Sequence, residues 1–308
     1  MDFSIIPHFT AEELRISINK ELKLIAASYG IVINENIPEE TLKALVRELA
    51  KKNKVVILVD EYDKPILDHI NNLEQADSQR TVLKSFYDAL KGLDKYIRAV
   101  FVTGVSRFSK TSLFSGMNNL DDITLDAKAA QLLGYTEKEI EKYFIPYLED
   151  FAQEKNESVR ELMVDLKKWY NGYRFSERDA CVYNPFSLLY SLSKKKFENY
   201  WYQSGTPTFL IHLIKNQYNS IENINKTELS SDWLGNFELT NIPLIPLLLQ
   251  TGYLTIADYD EKANKFKLNY PNYEVELSFT SLRLSGPFLL RQGYEGQARP
   301  ALRSIFAE

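Results

Sequence analysis

The run Lys54-Val55-Val56-Ile57-Leu58-Val59-Asp60-Glu61-Tyr62-Asp63 constrains this chain more than any other stretch. Its unbroken apolar core is too short for a confident helix and rich in β-branched residues. That is the signature of a strand buried on both faces, as in a parallel sheet. The run then stops at two carboxylates, at the end of the strand where open α/β sheets hold their ligands. An aspartate there can hold Mg²⁺ through oxygen, and the glutamate beside it can polarise an attacking water. This is the layout of a Walker B strand. The alternative is that Asp60 and Glu61 merely solvate a strand end.

The flanking pattern supports crossover connections. Met1 to Ile6 reads as a further strand. Thr10-Ala11-Glu12-Glu13 is a capping box opening a helix that carries Leu14, Ile16, Ile18, Leu22 and Ile25. Pro38 begins a second helix, Glu39 to Lys52, with Leu42, Leu45, Val46 and Leu49 on one face. After a polar loop around Asp77-Ser78, a third carries Val82, Leu83, Phe86 and Leu90. Ile97 to Thr103 is a second buried strand. Helix, strand, helix, strand is the rhythm of a parallel sheet with crossover helices. From Asp126 to about Ser193 the pattern is helical and charged, with a second capping box at Thr136–Glu139 and a turn at Asn184-Pro185. Lys194-Lys195-Lys196 is most simply a solvated helix end, with nucleic-acid contact as the other reading. Tyr253 to Ile256 and Phe266 to Leu268 form a hairpin across Asp260–Asn264, which with a preceding helix suggests a small winged-helix-like unit.

Composition narrows the function classes. A net charge of −5 argues against a protein that coats nucleic acid. The single cysteine, Cys181, excludes an intrachain disulfide and points to a reducing cytoplasm. With three histidines and one cysteine, a zinc site of those residues is not expected. Met1–Ile6 lacks a basic leader, and no stretch approaches a membrane span.

Gly104-Val105-Ser106-Arg107-Phe108-Ser109-Lys110-Thr111 follows the second strand. It is nearly a P-loop, with Ser109 in place of the second glycine that such a loop needs for its tight turn. It also follows the acidic strand, whereas a P-loop usually precedes it. A sensor reading fits better: Arg107, just past a strand adjacent to that of Asp60, would place a guanidinium on a γ-phosphate. Solvation of a loop is the plain alternative.

These stretches occur in an order that resembles one family. They are Val59–Pro65, Phe101–Ser109, Leu113–Leu120, Trp169–Phe175, Asn184–Ser187, Tyr200–Thr206 and Gln250–Ile256. The chain is identified as a member of the bacterial AAA-ATPase-like proteins that usually carry a C-terminal PD-(D/E)XK nuclease. The resemblance implies an α/β fold: a P-loop NTPase-like parallel sheet, incomplete at its N-terminus, then a helical lid and a winged-helix-like unit. The corresponding boundaries are 1–125, 126–235 and 236–308. It implies that Asp60 and Glu61 are the Walker B pair, Asp60 holding the metal, and that Arg107 is the sensor, with Ser106 beside it in the nucleotide-binding set. ATP and Mg²⁺ are the implied cofactors. The family's Arg-Pro-Arg-Arg-Phe-Gly-Lys-[Ser/Thr] loop, expected ahead of the first strand, is not among these residues, nor is the nuclease. The expectation is an ATPase-like region with little or no hydrolysis alone. Its partner would be an intact paralogue or a second copy, with nucleic acid reached only through a nuclease and no membrane association.

Overall fold

The computed structural model describes residues 1–106, 113–114, 120–203, 210, 227–230 and 243–284. The chain divides into two compact units: residues 1–121 with 231–251, and residues 122–230 with 252–308.

In the first unit, α1 (Ala11–Ser28) begins at Thr10, whose hydroxyl accepts the Glu13 N–H at 3.1 Å. The Glu13 carboxylate goes to the Phe9 N–H instead of closing the box. Leu14, Ile18 and Leu22 form the buried stripe. Ile16 lies off that stripe and is 60% exposed, because position i+2 falls on the opposite side of a helix. The second helix, α2 (Pro38–Leu49), starts on Pro38 and buries Leu42, Leu45 and Val46. Then come β1 (Val55–Val59), the single turn α3 (Lys64–Leu67) and α4 (Leu73–Asp88). The Asp77-Ser78 loop is not observed. Asn72 caps α4 upstream, and Asp77 pairs with Arg80 at 2.5 Å one turn on, so the polar residues are the helix's solvent side. Helices α1, α2 and α4 pack on one another, and Phe3 meets Phe86 of α4 edge-on.

β2 (Ile97–Val102) pairs with β1 in parallel, Val59 opposite Val102. Met1 to Phe3 contributes one parallel bridge, Asp2 to Asp60, rather than the expected strand. A two-stranded parallel sheet is therefore what the described residues contain. One face of it is open: Val56 is 54% and Leu58 60% exposed, although the apolar run reads as buried on both sides. Periodicity reports which residues can be covered, and not whether a layer covers them. The short helix α10 (Leu244–Gln250) belongs to this unit and buries Leu244, Leu247 and Leu248.

The second unit gathers α5 (Glu137–Tyr143), α6 (Ile145–Lys155), α7 (Val159–Tyr170), α8 (Pro185–Lys194) and α9 (Tyr200–Gln203). Reciprocal capping boxes start α5 at Thr136 and α7 at Ser158. Their core is Ile140, Leu148, Phe151, Leu162, Leu166, Tyr170 and Leu188. Lys195 closes α8 in a left-handed conformation and bridges Asp150 at 2.8 Å and Glu154 at 3.2 Å, which favours the helix-end reading of the lysine run. Two short strands, β3 (Tyr173–Arg174) and β4 (Cys181–Val182), pair antiparallel. A three-stranded antiparallel sheet sets β7 (Lys265–Asn269) between β5 (Glu228–Ser230) and β6 (Thr255–Asp260). The turn from β6 to β7 is built as its sequence suggests: Asp260 accepts the Lys262 and Ala263 N–H groups, and Asn264 is left-handed. The last described helix, α11 (Tyr273–Leu284), packs on α7 and α9.

Residues from three of the ordered stretches, Tyr170, Tyr200 with Trp201, and Tyr253, meet inside this unit, the Tyr170 and Tyr200 ring centroids 6.4 Å apart. Trp201 lies on Tyr253, with ring centroids 4.8 Å apart. Glu274 of α11 accepts the Ser187 hydroxyl and the Trp201 N–H. No helix among the described residues is long and apolar enough to cross a membrane.

Candidate functional site

Three parallel segments end together: Met1–Phe3, β1 and β2. Asp60 N–H donates to the Met1 carbonyl at 2.9 Å, and Phe3 N–H to the Asp60 carbonyl at 3.0 Å. On the other side, Thr103 N–H donates to the Val59 carbonyl at 2.9 Å and Tyr62 N–H to the Thr103 carbonyl at 3.0 Å. The backbone ladder thus continues past both strands and fixes the turn that follows each. Beside it a cleft of about 560 Å³ is lined by residues 4–9, Asp68 and His69.

Asp60 sits at the carboxyl end of β1, as the sequence predicts. Its Oδ1 accepts the Glu61 N–H at 3.1 Å and the Thr103 hydroxyl. No described residue donates to Oδ2. One oxygen steadied and one left over suits a carboxylate that gives a single bond to Mg²⁺, an ion usually held by one or two carboxylates together with substrate phosphates and water. Among the described residues no group of three or more His, Cys, Asp or Glu side chains is arranged to hold a metal. A lone carboxylate of this kind would need substrate phosphates and water to complete a magnesium shell.

Glu61 adjoins Asp60 and has φ +53, a left-handed backbone that only a few per cent of non-glycine residues adopt. Partial burial, then the nearby Asp63 and Asp60 charges, raise its carboxyl above the ordinary value. The shift makes this carboxylate a stronger base than an exposed glutamate.

The sequence reading missed Asp63 and Tyr62. Asp63 is completely buried. It accepts the Val105 N–H at 3.1 Å, the Ser106 N–H at 2.5 Å and the Ser106 hydroxyl. Burial raises its carboxyl despite these donors. Tyr62 donates its hydroxyl to the Ser106 carbonyl at 2.8 Å, and its ring lies on Phe114, which in turn lies on Tyr87, both at 5.1 Å. Gly104 is required at this crossing, since a Cβ there would stand 2.6 Å from Asp63 Oδ1 and inside the Tyr62 ring. Ser106 is thus brought to the site, with amide and hydroxyl both engaged by Asp63. Arg107, Ser109 and Lys110 lie outside the described residues. The available signal was an Asp three residues beyond Asp60 and a Ser two beyond Gly104. Lys64, which follows Asp63, pairs with Asp68 at 2.6 Å along α3.

Residues 1–114 match the sequence profile of a family described as predicted AAA-ATPase. An uncharacterized protein in the vnfD 5′ region of Azotobacter chroococcum mcd 1 is 35% identical over 278 residues. That alignment covers 89% of this chain and 52% of the relative, so the chain spans about half the length of the curated relative it matches. No solved structure matches the chain.

Proposed function

We propose, from the match of residues 1–114 to a family described as predicted AAA-ATPase, that the turns after β1 and β2 are the magnesium and water-handling half of an ATP site. The observation that carries this is Asp60 at the end of a parallel strand, with Oδ1 fixed by Thr103 and no described donor on Oδ2. In this reading Asp60 holds Mg²⁺ and Glu61 orients or deprotonates the attacking water. Arg107 completes the phosphate end, stabilising charge on the transferring γ-phosphoryl group, while Ser106, its amide and hydroxyl both given to Asp63, sets the turn that carries Arg107. Bound Mg-ATP would supply the phosphoanhydride to be cleaved and the positive charge that steadies it. These 308 residues hold no Gly-Lys-[Ser/Thr] loop ahead of β1. Backbone N–H groups and a lysine normally anchor the phosphates there. Hydrolysis by these residues alone is proposed to be slow or absent, and the chain to act in the cytoplasm as part of a nucleotide-controlled, nuclease-associated protein.

A second reading has a specific observation behind it. The sheet face bearing Val56, Leu58 and Phe101 is open. That suits a non-catalytic module that assembles with an intact paralogue or a second copy. Calorimetric titration with Mg-ATP, beside Asp60→Ala, separates the two. Saturable binding that the substitution abolishes supports the nucleotide site. Absence of binding in the native chain sinks it and leaves the module.

A further inference from the structure

We propose that Asp63 is the positioning residue of this edge: by clamping the Val105–Ser106 turn it holds Glu61 in its left-handed conformation and so aims the Glu61 carboxylate. The purpose of that aim rests on the nucleotide reading above, whereas the clamp itself does not.

A glutamate at φ +53 persists only where its surroundings over-determine it. The Glu61 side chain makes no hydrogen bond among the described residues, so it does not hold itself there. Its backbone is held from both sides, by its N–H on Asp60 and by the Lys64 N–H on its carbonyl at 3.0 Å. The chain leaves β1 at Asp60 and must place both Tyr62 and Asp63 beneath the turn after β2 within three residues. A left-handed residue at position 61 is the reversal that allows it.

Asp63 also forgoes the usual task of an aspartate at its place in the chain. It is the N-cap of α3, yet its side chain caps nothing in that helix. Both oxygens are instead directed across to Val105 and Ser106, 42 and 43 positions away. Tyr62 doubles the link through the Ser106 carbonyl. The turn after β1 and the turn after β2 therefore move as one piece, and a shift at Ser106 is felt at Glu61.

The test combines two double-mutant cycles. In thermal melts, Glu61→Gly relieves the backbone strain and raises the Tm of the native chain by about 2 °C. In the Asp63→Asn chain the same substitution yields under half that rise, because the strain has already been released. Equal rises overturn the clamp. If Asp63→Asn does not fold, Ser106→Ala with Tyr62→Phe serves, each change removing one hydroxyl and little volume. In the second cycle, Tyr62→Phe, which cuts the other link to the Ser106 turn, weakens Mg-ATP binding about fivefold in the native chain and not at all when Glu61 is already Gln, because the aimed carboxylate would hold a water on the magnesium ion. Equal weakening in both backgrounds reduces the clamp to a purely structural one and overturns the positioning role. If the native chain binds no Mg-ATP, the nucleotide reading and the aiming role that rests on it both fall. The melts then decide the clamp alone.

Discussion

The Glu274 carboxylate accepts the backbone N–H of Trp201 at 2.8 Å, joining the first turn of α11 to the first turn of α9. The same oxygen accepts the Ser187 hydroxyl at 3.0 Å, while Oε2 is buried without a partner. Burial pushes this carboxyl up to about 7, against the pull of those donors. The folded state therefore holds the proton more tightly than the unfolded chain does. The stabilisation is full below about 4.5 and is lost as pH rises toward 7. The second unit is expected to lose up to roughly 3 kcal/mol between pH 5 and 8. Glu274→Gln is expected to flatten that slope. Urea unfolding at both pH values, followed by tryptophan fluorescence, checks it, and parallel slopes in the two proteins count against it.

Gly172 explains why the stretch Trp169–Phe175 carries a glycine. Its φ is +97, and a Cβ there would stand 2.8 Å from the Pro271 carbonyl carbon, closer still to the oxygen. The next link in that contact is Asn272, whose side-chain amide donates to the Asn171 carbonyl at 2.9 Å. Gly172→Ala thus meets both a disfavoured backbone and an immovable peptide. A loss of about 3 kcal/mol is expected, read as a lower urea midpoint. A midpoint within experimental error of the native one would mean that the Pro271 loop can move aside.

Much of this architecture was legible where a local rule decides the outcome. The strands at Val55–Val59 and Ile97–Val102 follow from apolar runs between polar breaks, the start of α5 from the capping box at Thr136 and that of α8 from the turn at Asn184-Pro185. What escaped depends on long-range contact. Three acids follow β1 in four positions, and nothing local says that Asp63 is the buried one. That is settled by a left-handed turn at Glu61 and by donors on another strand. The openness of Val56 and Leu58 escaped for the same reason, since a residue's hydrophobicity does not reveal whether another layer covers it. Asp77-Ser78 misled because a helix's solvent side and a loop share their composition.

His8 gives the first unit a pH dependence of its own. Its Nδ1 lies 2.6 Å from the Ile6 carbonyl and its Nε2 3.0 Å from an Asp68 oxygen. Both neighbours accept, so the imidazolium, with two donors, is the form that satisfies the site. The Asp68 bond is the main cause that raises its pKa above 6.5, opposed by burial and, less, by Lys64 of the same helix. The stabilisation is present below 6.5 and is lost as pH rises through the folded value. His8→Asn is expected to cost about 1 kcal/mol at pH 6 and markedly less at pH 8.5. Chemical denaturation at the two pH values reads this directly. An equal cost at both would show that the ring is held by shape and not by charge.

Thr103 tests the site from beneath. Its hydroxyl donates to Asp60 Oδ1 while its backbone carries the ladder between the two strands. Thr103→Val keeps the β-branched outline and the strand geometry but removes that donor. The Asp60 carboxylate, kept only by the Glu61 N–H, is then freer to rotate, and in the proposed nucleotide reading a carboxylate free to rotate holds magnesium less well. Stability should fall by only about 1 kcal/mol, the value of one hydrogen bond. Magnesium-dependent nucleotide affinity should fall about tenfold or more, in keeping with the loss of a residue that orients a metal ligand. Titration with Mg-ATP beside a thermal melt separates these effects. If the melting temperature falls and the affinity does not, Asp60 is not the residue that meets the metal.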